Sequence, residues 1–133
     1  MPAIIQKVAQ IVDLTADLDK QVKNFSGGMK RRLTLTIALI GNPKLLILDE
    51  PTVGIDSKLS RQIWQELRQR RNLGCGILVT TYVMNEAELT DEVALLMNET
   101  IIANDSPAEL KKRYHAKSIE EVFIKAESEV KAK

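Results

Sequence analysis

The run Leu45-Leu46-Ile47-Leu48, set between Pro43 and Pro51, limits most strongly what this chain can fold into. A short apolar run that is continuous rather than alternating predicts a strand buried on both faces, the usual environment of a parallel sheet with helices above and below. Asp49 and Glu50 follow it directly. Carboxylates just past the C-terminal end of a parallel strand lie where open α/β sheets bind ligands. An aspartate there can hold Mg2+, usually through water, and a neighbouring glutamate can orient or deprotonate an attacking water. The pair also fits a plain solvated strand end.

Other elements follow from spacing. Ile4, Val8 and Ile11, with Ile5 and Val12 alongside, predict an amphipathic helix over residues 3–13. Thr15 to Asn24 is polar and turn-like. Ser26 is a good N-cap for a helix that runs to Ile40, apolar nearly all round in its C-terminal half and therefore expected to be buried. Gly41-Asn42-Pro43 stops it. Asp56 or Ser57 caps the next helix, which carries Leu59, Ile63 and Leu67 on one face and a Glu66–Arg70 pair on another, and ends at Gly74. Ile77 to Thr81 predicts a second strand and Met84 to Leu89 a short helix. Val93–Met97 and Thr100–Ala103 predict a hairpin about Asn98-Glu99, without the glycine that a tight turn prefers. Ser106-Pro107-Ala108-Glu109 has the N-cap serine, first-turn proline and capping-box glutamate of a helix start. The charged stretch from Lys125 to Lys133 is expected to fray. Strand, helix, strand, helix and hairpin together predict an α/β fold with a mostly parallel sheet, flanking helices, and a C-terminal hairpin and helices.

Composition narrows the function. With 19 basic and 18 acidic residues the net charge is +1, which gives no electrostatic case for nucleic acid as a partner. The single cysteine, Cys75, rules out an internal disulfide framework and suits a reducing compartment. No apolar run approaches the ~20 residues that span a bilayer, and nothing at the N-terminus resembles a secretory signal. The expectation is a cytoplasmic chain whose membrane role comes through a partner.

Ser26-Gly27-Gly28 can bind an anion, because free N–H groups and the helix dipole both favour phosphate, although the same residues also serve as an ordinary N-cap. The ordered combination is more specific. "FSGGM" (25–29) looks like the signature motif of ATP-binding-cassette (ABC) proteins, usually written LSGGQ. "LLILDE" (45–50) resembles their Walker B strand with its glutamate, "VGID" (53–56) their D-loop, and "ILVTTYVMNEAE" (77–88) their switch segment. "DEVALLMNETIIANDSPAEL" (91–110) resembles the hairpin and helix that follow, and "SIEEVFIKA" (118–126) the closing segment of drug- and antibiotic-exporting members. The likeness runs from about Ile4 to Lys125.

The resemblance implies a nucleotide-binding domain that works as a dimer, each ATP lying on the P-loop of one domain and under the signature motif of the other. Ser26, Gly27, Gly28 and Met29 would contact ATP held by a partner, Asp49 would serve Mg2+, Glu50 would polarise the water, and Asp56 would cross the interface. Phe25 and Met29 depart from the commonest signature letters but only flank the Ser-Gly-Gly core. Tyr82 stands where the family has a histidine. Its hydroxyl can donate, but it is longer and cannot take up a proton as imidazole does. His115, in "KKRYHAK", reads as a solvated side chain at a basic helix end.

A P-loop needs G-x-x-x-x-G-K-[ST], and none of the six glycines here is followed by lysine. The expectation is the C-terminal part of an incomplete P-loop NTPase (ABC ATPase) fold. Residues 1–25 would end the helical subdomain, 26–116 form the ATPase core, and 117–133 form a tail. It would be inactive alone and would act with a P-loop-bearing half or full ABC domain and a transmembrane permease subunit, coupling ATP hydrolysis to export. Two alternatives stay open: a non-hydrolysing regulatory half-domain, and a soluble ABC protein acting on nucleic acid.

Overall fold

The apolar run does become a strand. In the computed structural model, which describes residues 2–133, Leu45–Asp49 forms β1 and Gly76–Thr80 forms β2. They pair in parallel, Leu45 opposite Gly76 and Asp49 opposite Thr80. The crossover between them is α3, Ser57–Asn72. Asp56 caps it, accepting from the Leu59 N–H at 3.0 Å, and Gly74 (φ +96°) closes it in a conformation suited to glycine. Before the sheet come α1 (Ala3–Ile11), two 3₁₀ turns at Thr15–Asp17 and Val22–Asn24, and α2 (Gly27–Leu39). These elements form the first of two compact units, which ends at Thr80.

The core of that unit lies between the helices and one face of the sheet. Val8 and Val12, Leu35 and Leu39, Leu46 and Leu48, and Leu59, Ile63 and Leu67 are all buried in it. Each such side chain contributes about 1.5–3 kcal/mol when fully buried. The expected Glu66–Arg70 pair forms at 2.7 Å.

Two expectations of burial are corrected. Leu46 and Leu48 are buried, but their strand neighbours Leu45 and Ile47 are 60% and 67% exposed, and Leu78 on β2 is 56% exposed. One sheet face is packed, and no helix among the described residues of this unit covers the other. Burial of α2 is likewise one-sided. Leu35, Thr36 and Leu39 are buried while Ile37 and Ile40 face solvent, and Thr36 satisfies its hydroxyl on the Arg32 carbonyl at 2.8 Å.

The second unit, Thr81–Lys133, holds α4 (Met84–Ala87), the antiparallel hairpin β3 (Val93–Met97) and β4 (Thr100–Asp105), α5 (Pro107–Arg113) and α6 (Ile119–Lys131). The hairpin is a sheet of its own, so the parallel part of the fold is β1 and β2. Its turn is tight despite lacking glycine: Asn98 and Glu99 both take positive φ, +47° and +64°, as a primed hairpin turn requires. Ser106 caps α5, but its own N–H goes to the Asp105 carboxylate at 2.8 Å, so Asp105 supplies the return arm expected of Glu109. The charged end is helical as far as Lys131. Ile119, Val122 and Ala126 are buried along one stripe of α6, and Glu127 pairs with Lys131 on its exposed last turn.

Glu88 joins three parts of this unit. One carboxylate oxygen lies 2.7 Å from Lys111 Nζ on α5, and the other accepts the Ile119 N–H at the start of α6, also at 2.7 Å. Burial opposes its charge, but the Lys111 ammonium and the Ile119 N–H outweigh burial and hold the carboxyl below its ordinary value. A carboxylate lowered on folding adds stability above its unfolded pKa and loses it as pH falls through the folded one. Stability should therefore decline below a pH of about 4.5. Glu88→Gln should cost about 1 kcal/mol at neutral pH and flatten that decline. Thermal melts of both proteins from acid to neutral pH check this.

Candidate functional site

Ser26 caps α2 through the Met29 N–H at 3.2 Å, so the Ser-Gly-Gly stretch is the helix start that its sequence predicts. Ser26 and Gly27 are exposed, and Gly28 and Met29 half-buried. Neither glycine has positive φ. A methyl group on Gly27 would meet nothing within 4 Å, and one on Gly28 would stand 3.8 Å from the Gly54 carbonyl, an ordinary contact. Neither backbone strain nor packing inside this chain calls for glycine at either position. Bare backbone in an open helix start suits close approach by something outside the chain. Gly27→Ala should accordingly leave the fold as stable as before, or more stable by up to about 1 kcal/mol, while blocking that approach. Denaturant melts check the first half and nucleotide binding the second.

Asp49 and Glu50 sit at the C-terminal end of β1. Thr80 Oγ1, directly opposite, donates to the Asp49 carboxylate at 2.5 Å, and the Glu50 N–H donates to the Thr80 carbonyl at 2.8 Å. Glu50 itself is left-handed, φ +49°. Such a conformation in a non-glycine residue is uncommon and collects at functional sites. From α2, Arg31 Nη2 donates to the Asp49 carbonyl at 3.3 Å and to the Glu50 carbonyl. Asp56 is exposed, and its first observed task is local: the Leu59 N–H holds its carboxylate below the ordinary range. Tyr82 belongs to the second unit and is 88% exposed. On either side of it, the Val83 N–H donates to Thr81 Oγ1, which donates to the Glu86 carboxylate, at 2.9 Å each. His115 is exposed in the turn after α5 and takes no place among these groups.

The first unit thus brings together the Ser-Gly-Gly helix, the Gly54 turn and the Asp49-Glu50 strand end. Sequence reasoning missed Thr80 and Arg31. Thr80 was visible only through the β1–β2 register, and Arg31 is one cation in a run of three. No group of three or more metal-ligating side chains occurs among the described residues. A single strand-end aspartate still fits Mg2+, which binds through one or two carboxylates and completes its shell from water and substrate phosphates.

The first unit is an α/β arrangement with a parallel strand ending in Asp-Glu beside a glycine-opened helix start. The family model for ABC transporters matches residues 1–53. ABC transporter G family member 20 of Dictyostelium discoideum is 44% identical over 119 residues, 90% of this chain and 16% of that protein. Nod factor export ATP-binding protein I of Neorhizobium galegae is 44% identical over 108 residues, 80% of this chain and 31% of that protein. Among solved structures, an ATP-binding subunit of an ABC transporter superposes with TM-score 0.82 at 22% identity, over 95% of this chain and 55% of that one. A dimeric ATP-binding cassette in a post-hydrolysis state with ADP and phosphate gives 0.70 at 24% identity, over 75% of this chain and 44% of that one. The chain belongs to the ATP-binding domain family of ABC transporters. It spans about half of the structural relative and less than a third of either curated relative. No helix among the described residues is long and apolar enough to cross a membrane.

Proposed function

We propose that this chain is the signature- and Walker B-bearing part of an ATP-binding cassette that couples ATP binding and hydrolysis to export. The observation that carries this reading is the pair of glycines at the α2 start, which the chain's own fold does not require. Their N–H groups would receive the γ-phosphate of an ATP held by a partner's P-loop. Asp49, oriented by Thr80, would hold Mg2+ through water, and Glu50 would orient the attacking water and accept its proton. Bound Mg-ATP supplies the phosphoryl group and neutralises charge developing on it. Asp56 would face the partner cassette. The phosphate-gripping lysine must come from a P-loop-bearing segment or chain. The Nod factor export relative supports export, and with it a cytoplasmic position against a transmembrane permease. The dimeric cassette supports a pair of nucleotide-binding domains.

Calorimetry with Mg-ATP, on the chain alone and with an added P-loop-bearing half, tests this. Binding only in the second case is expected. Binding by the chain alone would overturn the split site. Absence of binding in both would favour a regulatory module that docks without hydrolysing, a reading for which Tyr82 in place of histidine speaks. If instead the site is competent, Tyr82→His should raise hydrolysis in the completed cassette about tenfold. At 88% exposure the change should leave the melting curve unmoved.

A further inference from the structure

We propose that Arg31 is a positioning residue that ties the Ser-Gly-Gly helix to the backbone of the Asp49-Glu50 turn and keeps Glu50 in its left-handed conformation. This rests on the reading of Glu50 as the residue that orients water. The Glu50 peptide is held from two sides. Its N–H goes to Thr80 on β2, and its carbonyl receives Arg31 from α2 and the Val53 N–H at 3.3 Å. The same guanidinium nitrogen reaches the Asp49 carbonyl at 3.3 Å. Left-handed backbone at a glutamate is strained and persists only where its surroundings impose it. A half-buried charged donor on two successive carbonyls is a strong enough contact to impose it.

The neighbouring residue makes the pattern plainer. Arg32, one step round the helix, donates to the Asp13 carbonyl at 3.0 Å, and Asp13 is also left-handed, φ +54°. Adjacent arginines thus bolt α2 to the turn after α1 on one side and to the end of β1 on the other. Of the two arginines, Arg31 is the one that reaches the backbone of Asp49 and Glu50. It stands five residues after Ser26, so a shift of the helix start on meeting phosphate would be passed to the Glu50 peptide within little more than one turn of helix. Lysine carries its donors on a flexible stem and lacks the planar guanidinium, so it should hold the two carbonyls less firmly.

The test compares wild type, Arg31→Lys and Arg31→Ala. Amide hydrogen exchange on the full chain reads the tether directly. Arg31→Ala should speed exchange at Glu50 and Val53 about tenfold or more while leaving Leu48 and Ile63 unchanged, with Arg31→Lys in between. In the cassette completed by a P-loop-bearing half, kcat should fall about 10–100-fold in Arg31→Ala and the KM for ATP stay within about twofold. Unchanged exchange at Glu50 and Val53 would overturn the tether. Faster exchange with unchanged kcat would overturn its role in positioning. If wild type hydrolyses nothing, the ATPase reading fails, and the exchange measurement still decides whether Arg31 holds the turn.

Discussion

Glu50→Gln should lower ATP hydrolysis about 10²–10⁴-fold in a completed cassette and leave nucleotide binding in place. Glutamine keeps the shape of the side chain and its capacity to hydrogen-bond, but it cannot accept the proton of an attacking water. The groups that set the turn act on the backbone: Thr80 on the N–H, Arg31 and Val53 on the carbonyl. The left-handed peptide should survive the substitution, so lost turnover would report chemistry and not misfolding. Phosphate release gives the rate, and calorimetry with Mg-ATP gives the binding. Hydrolysis retained within a few-fold would move the proton acceptor elsewhere and leave Glu50 a strand-end residue in a strained turn.

What the sequence reveals of this site divides by distance along the chain. Ser26 and Ser106 cap helices through N–H groups three residues on, and such short-range chemistry is written in the local residues. The hairpin turn at Asn98-Glu99 is legible for the same reason, even without glycine. Asp49 and Glu50 are legible because a buried parallel strand must end somewhere, and its end is where polar groups meet ligands. What holds them is not legible. Thr80 meets Asp49 across 31 residues and Arg31 meets Glu50 across 19, and neither pairing exists until the register of β1 on β2 and the docking of α2 are set. The C-terminal helix was hidden differently. The charged outer face of α6 obscures a stripe of Ile119, Val122 and Ala126 that is decided by burial.

The apolar run yields the most discriminating measurement. Leu46 and Ile47 are adjacent on β1, yet Leu46 is 3% exposed and Ile47 67%. Leu46→Ala should destabilise the chain by about 2–5 kcal/mol, because its removal leaves a cavity against the helices. Ile47→Ala should cost less than about 0.5 kcal/mol, because that side chain touches water. A continuous apolar run records the environment in which the strand is used, and that environment has two covered faces. Among the described residues of the first unit the cover lies on one face, with Leu45, Ile47 and Leu78 exposed on the other. Bare apolar strands with open edges favour association, so the chain alone should be poorly soluble. Once a P-loop-bearing half is added, Ile47→Ala should become costly, rising toward the cost of Leu46→Ala. Urea melts of both variants, alone and complemented, read this difference. If the cost at Ile47 stays near zero after complementation, the second half does not seat on that face, and the one-sided burial belongs to the working protein.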